Sequence, residues 1–329
     1  MTKICNISFV IIARNEQFGI EKCLSSIADL ELENCQIICV DSGSTDNTLK
    51  VMLSYQEKLS NYHVLKIEGY SNAAVARNAG IKRAEKKNIF FLDGDVQVDK
   101  TFLISGLNFL ETSADCVTGK LKEFRYSKDY SKIEETIEDR FRLNKEELIY
   151  TSGGCFLVKH AVVSDIGLFN EHLERSQDYD YTLRISKKYK MAAIPYNMGI
   201  HHTIHYENPV RLIEHIRKLH PVFLGNVVAN NYKHIKGLVW LFYRREKGVV
   251  MGFFFLILSF FLLLFVKKVA LVLIPLIVFL DLFYGKIKQK KISYRLFLHY
   301  VAPVLIITGL FYHLDRVTAY KVSVMSETN

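Results

Sequence analysis

Proline is scarce, at five in 329 residues, tryptophan occurs once, and the six cysteines include no CxxC pair. With no repeat and no low-complexity tract, this composition excludes collagen, a solenoid and long disorder. Cys5, Cys23, Cys35, Cys39, Cys116 and Cys155 are scattered, which excludes a zinc ribbon and a disulfide-stapled module; they are expected to be reduced, buried thiols. No GxGxxG follows the first strand-like run and no GxxxxGK[ST] occurs, so neither a dinucleotide fold nor a P-loop is supported. The string HHTIH at 201–205 lacks the glutamate of a zinc-protease HExxH motif. Met1–Asn6 runs straight into a strand-like stretch without a signal-peptide pattern, so a cytosolic location is expected for the first 205 residues.

What is abundant is apolar and, toward the C-terminus, basic. Hydrophobic residues make up 50%, and the mean hydropathy of +0.10 is high for a soluble enzyme. Residues 1–200 carry 26 Lys+Arg against 28 Asp+Glu, whereas residues 201–329 carry 17 against 6, so the net charge of +9 resides in the C-terminal part. Such a basic block meets either nucleic acid or anionic lipid. The apolar runs Val249–Val266 and Val269–Leu280, and a third at 294–314, point to lipid, and no nucleic-acid-binding module is present. A spanning helix needs about 20 residues. The third run qualifies and the first is adequate. The second is short, contains Pro275 and Asp281, and is separated from the first only by Lys267-Lys268, so two to three transmembrane or re-entrant helices are expected over 249–314. Pro209–Phe223 has the spacing of an amphipathic interfacial helix. Arg244, Arg245 and Lys247, with Lys286, Lys288, Lys290, Lys291 and Arg295, fit the positive-inside rule. Either arrangement of spans places Asn329 on the side opposite the N-terminal domain.

The first 200 residues alternate β-branched apolar runs at 7–13, 36–40, 63–67 and 88–92 with helical patterns at Phe18–Leu30, Thr45–Lys58 and Ala73–Lys87. This is the pattern of an α/β domain with a mostly parallel sheet flanked by helices, which binds ligands at the C-terminal ends of its strands. At those ends stand Arg14-Asn15-Glu16, Asp41-Ser42-Gly43-Ser44-Thr45-Asp46 and Asp93-Gly94-Asp95. Two carboxylates around a glycine can hold a divalent cation that bridges phosphates, the glycine letting the ligand approach. Asp41 is read as free to accept hydrogen bonds from a ligand base, and Asp46 as a helix cap.

The order of motifs resembles that of family 2 glycosyltransferases of the GT-A fold. It runs through Ala13-Arg14-Asn15-Glu16, Val40-Asp41 to Asp46, Ala76-Arg77-Asn78-Ala79-Gly80 and Leu92-Asp93-Gly94-Asp95, then Gly153-Gly154 and Gln177-Asp178-Tyr179-Asp180-Tyr181, covering roughly residues 5–205. The resemblance implies a GT-A-like sheet followed by C-terminal transmembrane helices. It also implies donor binding by Ala13, Asn15, Glu16, Asp41, Arg77 and Asp93, with Gly153 and Gly154 in an acceptor-side loop. Asp95 would ligate Mn²⁺ or Mg²⁺ on the donor diphosphate. His201 is taken as the second ligand over its neighbour His202, since strand alternation lets only one face the site. Gln177 departs from the family's Glu-Asp pair, but Asp178 matches the general base, and inversion requires only one. Asp180 is expected to support the loop or the helix.

These implications add up to an inverting, metal-dependent transfer of one sugar from a nucleotide diphosphate sugar to a lipid-linked saccharide, at the cytosolic face of a bacterial inner membrane, in surface-polysaccharide synthesis. A polyprenyl-phosphate sugar synthase would share every donor motif. A catalytically silent scaffold would keep the fold without the chemistry. The sole tryptophan, Trp240, follows Lys236-Gly237-Leu238-Val239 rather than forming the Q-x-x-R-W element of processive synthases. The expected segments are a nucleotide-sugar-binding domain over 1–205, a basic interface segment over 206–248, the apolar helices over 249–314 and a tail over 315–329.

Overall fold

The computed structural model describes residues 4–205, 220–265, 273–281, 283, 297–312 and 317–328. The chain divides into two compact units, one of Met1–His205 with Asp315–Asn329 and the other of Tyr206–Leu314.

The first unit is built on a twisted, mostly parallel core. Along the chain its strands are β1 (Ile4–Cys5), β2 (Ile7–Ala13), β3 (Leu32–Glu33), β4 (Gln36–Asp41), β5 (Tyr62–Gly69), β6 (Asn88–Asp93) and β7 (Val96–Val98). Then come β8 (Cys116–Tyr126), β9 (Ile133–Ile137), β10 (Glu147–Leu148), β11 (Phe156–Lys159), β12 (Met191–Ile204) and β13 (Tyr320–Glu327). The helices are α1 (Gln17–Ala28), α2 (Thr48–Ser54), α3 (Ala73–Ile81), α4 (Lys100–Thr112), α5 (His160–Ile166) and α6 (Gln177–Lys188). The main sheet runs β10-β12-β8-β11-β6-β2-β4-β5-β13, with β7 on β12 and β9 on β8; β1 and β3 form a separate pair.

Strands β2, β4 and β5 are parallel neighbours, as are β2 and β6. Every residue of β2 (ISFVIIA) and β4 (QIICVD) is buried, as a parallel sheet covered on both faces requires. Register then fixes the level of the strand ends: Ala13 pairs with Asp41 on one side, and Ile12 with Asp93 on the other. Of the six cysteines, five are buried and all are free; Cys5 is exposed, contrary to expectation.

The four leading strands and three helices lie where the hydrophobic periodicity put them, but the helices end early. α3 stops at Ile81 rather than Lys87. The amides of Glu85 and Lys86 instead donate to the side chains of Ser8 and Gln36, a satisfied alternative to the helical bond. α2 starts at Thr48 rather than Thr45. Asp46 accepts from the amides of both Thr48 (2.9 Å) and Gln17 (3.2 Å), and so serves the first turns of two helices.

The described part of the expected tail, residues 317–328, joins the sheet. Tyr320–Glu327 pairs antiparallel with β5 over Gly69 to His63. Thr328 exchanges hydrogen bonds with Tyr62 at one end, and the Tyr320 hydroxyl donates to Glu171 (3.0 Å) at the other. This corrects the expectation that the C-terminus lies opposite the N-terminal domain, because both termini belong to one unit.

Within the second unit, helix His220–Asn230 packs against helix Ala302–Phe311. Gly225 and Gly309 stand where a Cβ would collide with the facing backbone, and Asn226 donates to the carbonyls of Gly309 and Tyr312. Close approach through glycines and a bonded amide is the usual way to join apolar helices. Helix Lys247–Phe265 exposes Phe254, Ile257, Phe260, Phe261 and Leu264. Among the described residues, however, no helix is long and apolar enough to cross a membrane; residues 266–272, 282 and 284–296 of the expected transmembrane or re-entrant helices lie outside them. The first run gives 19 residues beginning with Lys247-Gly248, about 28 Å of rise against an apolar thickness of about 30 Å. The third breaks into a π-helix at Phe297–Val301 before Ala302. Most of the expected interfacial helix at 209–223, and the basic loop at 286–295, lie outside the described residues.

Strand β13 covers an edge that would otherwise present unpaired backbone groups. Removing residues 318–329 is therefore expected to lower the melting temperature by several degrees and to promote aggregation. An unchanged melting temperature with monodisperse protein in a light-scattering run would show that β13 contributes nothing.

Candidate active site

Three loops meet where β2, β4 and β6 end. Asn15, in a left-handed conformation (φ 56°), accepts from the Thr45 amide at 2.8 Å, and its own amide donates to Ser44. The Glu16 amide donates to Thr48 Oγ1 at 2.8 Å. Asn15 thus ties the β2–α1 loop to the β4–α2 loop. Ala13 is buried and its carbonyl accepts from Ser42. Asp41 is not free as expected: it is fully buried, and its carboxylate accepts from the Ser44 amide at 3.2 Å.

The Asp93-Gly94-Asp95 turn lies directly on β2. A Cβ on Gly94 would collide with the Ala13 side chain, and the Gly94 amide donates to the Ile12 carbonyl at 2.8 Å. The glycine therefore makes room for protein rather than for ligand. Its two flanking carboxylates point to different partners. Asp93 accepts from Arg77 Nη2 at 2.6 Å; the Arg77 side chain is 3% exposed, that of Asp93 42%. Arg77 also sits over the Phe169 ring, which stacks on Tyr181 at 3.7 Å between centroids, and Arg184 covers the far side of Tyr181. This stack joins α3 to α6, at whose first turn Asp178 stands. Burial pushes the Asp178 carboxyl up, opposed by the Arg77 charge. Asp180 is buried and pairs with Arg184 at 3.1 Å, which is the supporting role expected of it.

Asp95 turns to the other side, where its Oδ2 lies 2.9 Å from His201 Nε2. His201 Nδ1 is 3.2 Å from Glu123 Oε2. Burial works against a charge on His201, but the Asp95 carboxylate and the hydrogen bonds to Asp95 and Glu123 hold its pKa up at about 10. His202 faces away, bonded to the Tyr126 hydroxyl at 2.9 Å and to Gln97 at 3.3 Å; burial and Lys22 hold it down at about 4. Alternation along β12 thus turns the His201 side chain to the Asp95 carboxylate, while the His202 amide donates to the Asp95 carbonyl at 2.8 Å. Glu16 is pushed up to about 8 by burial and by the carboxylates of Asp95, Asp93 and Asp46, with His201 opposing.

Among the described residues no three His, Cys, Asp or Glu side chains form a ready metal cage. Asp95 and His201 nevertheless suit a divalent cation that takes its remaining ligands from a diphosphate. Asp95 Oδ1 is buried with no hydrogen-bond partner, and a buried orphan acceptor of that kind calls for a ligand.

Sequence reasoning missed Glu123 and the Phe169–Tyr181 stack. The one available signal for Glu123 was its place in β8, where Leu121 and Glu123 are buried while Lys120 and Lys122 are part-exposed.

The Gly153-Gly154 loop, expected on the acceptor side, touches the Arg77–Asp93 pair. A Cβ on Gly154 would overlap Arg77 Nη2 and approach Asp93, whereas one on Gly153 meets nothing within 4 Å. Gly154→Ala is expected to cost about 1–3 kcal/mol in urea unfolding, and Gly153→Ala to fall within about 0.5 kcal/mol of the parent. Equal effects of the two would contradict the close approach.

The family model described as glycosyl transferase family 2 matches residues 8–167. A poly(ribitol-phosphate) beta-glucosyltransferase of Bacillus spizizenii is 30% identical over 194 residues, 57% of this chain and 30% of that protein. The poly(ribitol-phosphate) beta-N-acetylglucosaminyltransferase TarS of Staphylococcus aureus is 28% identical over 183 residues, 54% of this chain and 32% of TarS. The match thus spans about a third of those relatives' length. The crystal structure of S. aureus TarS 1-349 with UDP shares the fold at a TM-score of 0.59 and 17% identity, covering 98% of this chain and 96% of that one; the complex with UDP-GlcNAc gives 0.57 at 17%, covering 98% and 97%. Residues 8–167, just under half of the chain, thus match the glycosyl transferase family 2 model.

Proposed function

We propose that the chain is an inverting glycosyltransferase that moves one sugar from a nucleotide diphosphate sugar to an acceptor hydroxyl. The observation that carries this reading is the separation of two carboxylate sites at one sheet edge. Asp95 with His201 forms a donor-diphosphate side, and Asp178, beyond the Arg77–Asp93 pair, forms an acceptor side. Two relatives are named for poly(ribitol-phosphate) glycosylation and a structural neighbour is titled as a UDP-GlcNAc complex. A UDP-sugar donor, and a cell-surface polymer or its lipid-linked precursor as acceptor, follow as the favoured classes.

Asp178 takes the proton of the attacking hydroxyl as the new bond to the anomeric carbon forms, while the bond from that carbon to the diphosphate oxygen breaks on the opposite face. Arg77 holds the Asp93 carboxylate in place, and Glu16, Asn15 and Asp41 line the nucleoside side. Asp95 and His201 would hold Mn²⁺ or Mg²⁺, which would supply stabilisation of the charge developing on the leaving diphosphate.

Residues 206–314 are proposed to bring this site to the cytosolic face of a bacterial membrane. The exposed phenylalanines of Lys247–Phe265 and the C-terminal basic excess support that reading. Because the chain starts and ends in the same unit, a tag at Asn329 is expected to be reached by an impermeant reagent from the side that reaches an N-terminal tag. Labelling of the two from opposite sides would overturn this topology.

Asp178→Asn is expected to retain UDP-sugar affinity and to lose transfer by about 10²–10⁴. A base works when deprotonated, so a raised pKa moves the acid limb of kcat/KM upward: activity falls on acidification through a value above the 3.8 of an ordinary aspartate. A limb unchanged in Asp178→Asn, or near-normal turnover by that variant, would remove Asp178 from the role. Product with the donor's anomeric configuration by NMR would remove the single-base mechanism.

A further inference from the structure

Glu123 belongs to none of the motifs at the strand ends, yet it reaches the site through the sheet. It occupies the register position opposite His201, β8 running parallel to β12. A carboxylate on the buried side of a strand is costly unless fully partnered, and the Glu123 side chain is 4% exposed. Its partners are His201 Nδ1 at 3.2 Å, Arg125 Nε at 2.5 Å and Arg140 Nη1 at 3.3 Å. Arg125 is itself held across the β8–β9 hairpin by Glu135 at 2.7 Å.

The imidazole of His201 therefore has its two nitrogens in two settings, Nε2 on Asp95 and Nδ1 on Glu123. A cation bound between Asp95 and His201 takes the Nε2 lone pair, which leaves the Nδ1 proton in need of an acceptor. A second carboxylate in that place sets the tautomer and the ring plane of a ligating histidine. We infer that Glu123 is a positioning residue for metal binding: it accepts the Nδ1 hydrogen of His201, keeps Nε2 free to ligate, and is itself held by Arg125 and Arg140. This rests on reading Asp95 and His201 as the metal ligands.

The test is calorimetric titration of the full chain with Mn²⁺ at saturating UDP, alongside UDP titration in chelator. Glu123→Gln keeps the size of the side chain but loses its charge. It is expected to weaken Mn²⁺ binding about 10–100-fold with metal-free UDP affinity unchanged, and Glu123→Asp to recover part of the loss. Mn²⁺ affinity equal to the parent in Glu123→Gln overturns the proposal, as does a parallel loss of Mn²⁺ and metal-free UDP binding, the mark of a merely structural tie between β8 and β12. Failure of the parent to bind Mn²⁺, or parent-like Mn²⁺ binding by Asp95→Asn, removes instead the metal reading beneath it. A measurement on the parent guards against variants that fail to fold. With Mg²⁺ and UDP bound, nitrogen NMR of His201, assigned through His201→Asn, is expected to show Nδ1 protonated and Nε2 unprotonated. The reverse tautomer overturns the proposal.

Discussion

Crowded negative charge is the constraint on which the rest of the site depends. Parallel pairing of β2 with β6, and the α1 start that follows β2, bring Glu16, Asp93 and Asp95 together, and α6 adds Asp178. Like charges gathered in a buried site cannot all stay ionised without compensation. The protein answers with two buried cations facing opposite ways, Arg77 on Asp93 and His201 on Asp95, and Glu16 absorbs what remains by a pKa near 8. A divalent cation brought in with a diphosphate suits the Asp95 side electrostatically, because the buried Asp95 oxygen still lacks a partner there.

Those two cations depend on quite different supports. Arg77 is fixed by packing: Phe169 and Tyr181 stack beneath it, and Asn78, its neighbour on α3, exchanges hydrogen bonds with the Phe169 backbone in both directions. His201 is fixed by charge, between carboxylates on β6–β7 and β8. A packed arginine cannot leave without opening the core, whereas a histidine between two carboxylates can give up a proton and accept a metal without moving its ring. The base side of the site is thus rigid, and the donor side can change its charge.

Much of this was legible locally. Apolar β-branched runs bounded by Asp, Gly and Asn marked β2, β4, β5 and β6, and the chemistry stood at their ends because a parallel sheet exposes nothing else there. The two-residue period of a strand allowed only one of His201 and His202 to face the site, and the family resemblance pointed to His201. What local pattern could not carry was pairing at long range. Glu123 becomes a partner of His201 only through the β8–β12 register, and Asp41 loses its freedom to the Ser44 amide of its own loop. Strand β13 was read as a tail because its value as a strand resides in the open edge of β5, some 250 residues earlier.

That last pairing also limits what the second unit can do at a bilayer. The chain leaves the first unit after His205 and is back in it by Asp315, with Tyr320–Glu327 locked into the sheet. Any crossing made within 206–314 must consequently be made an even number of times, and an odd count of spans would tear β13 from β5. Within the second unit, Gly225 and Gly309 let the backbones of His220–Asn230 and Ala302–Phe311 approach closely, and Asn226 ties them by donating to the carbonyls of Gly309 and Tyr312.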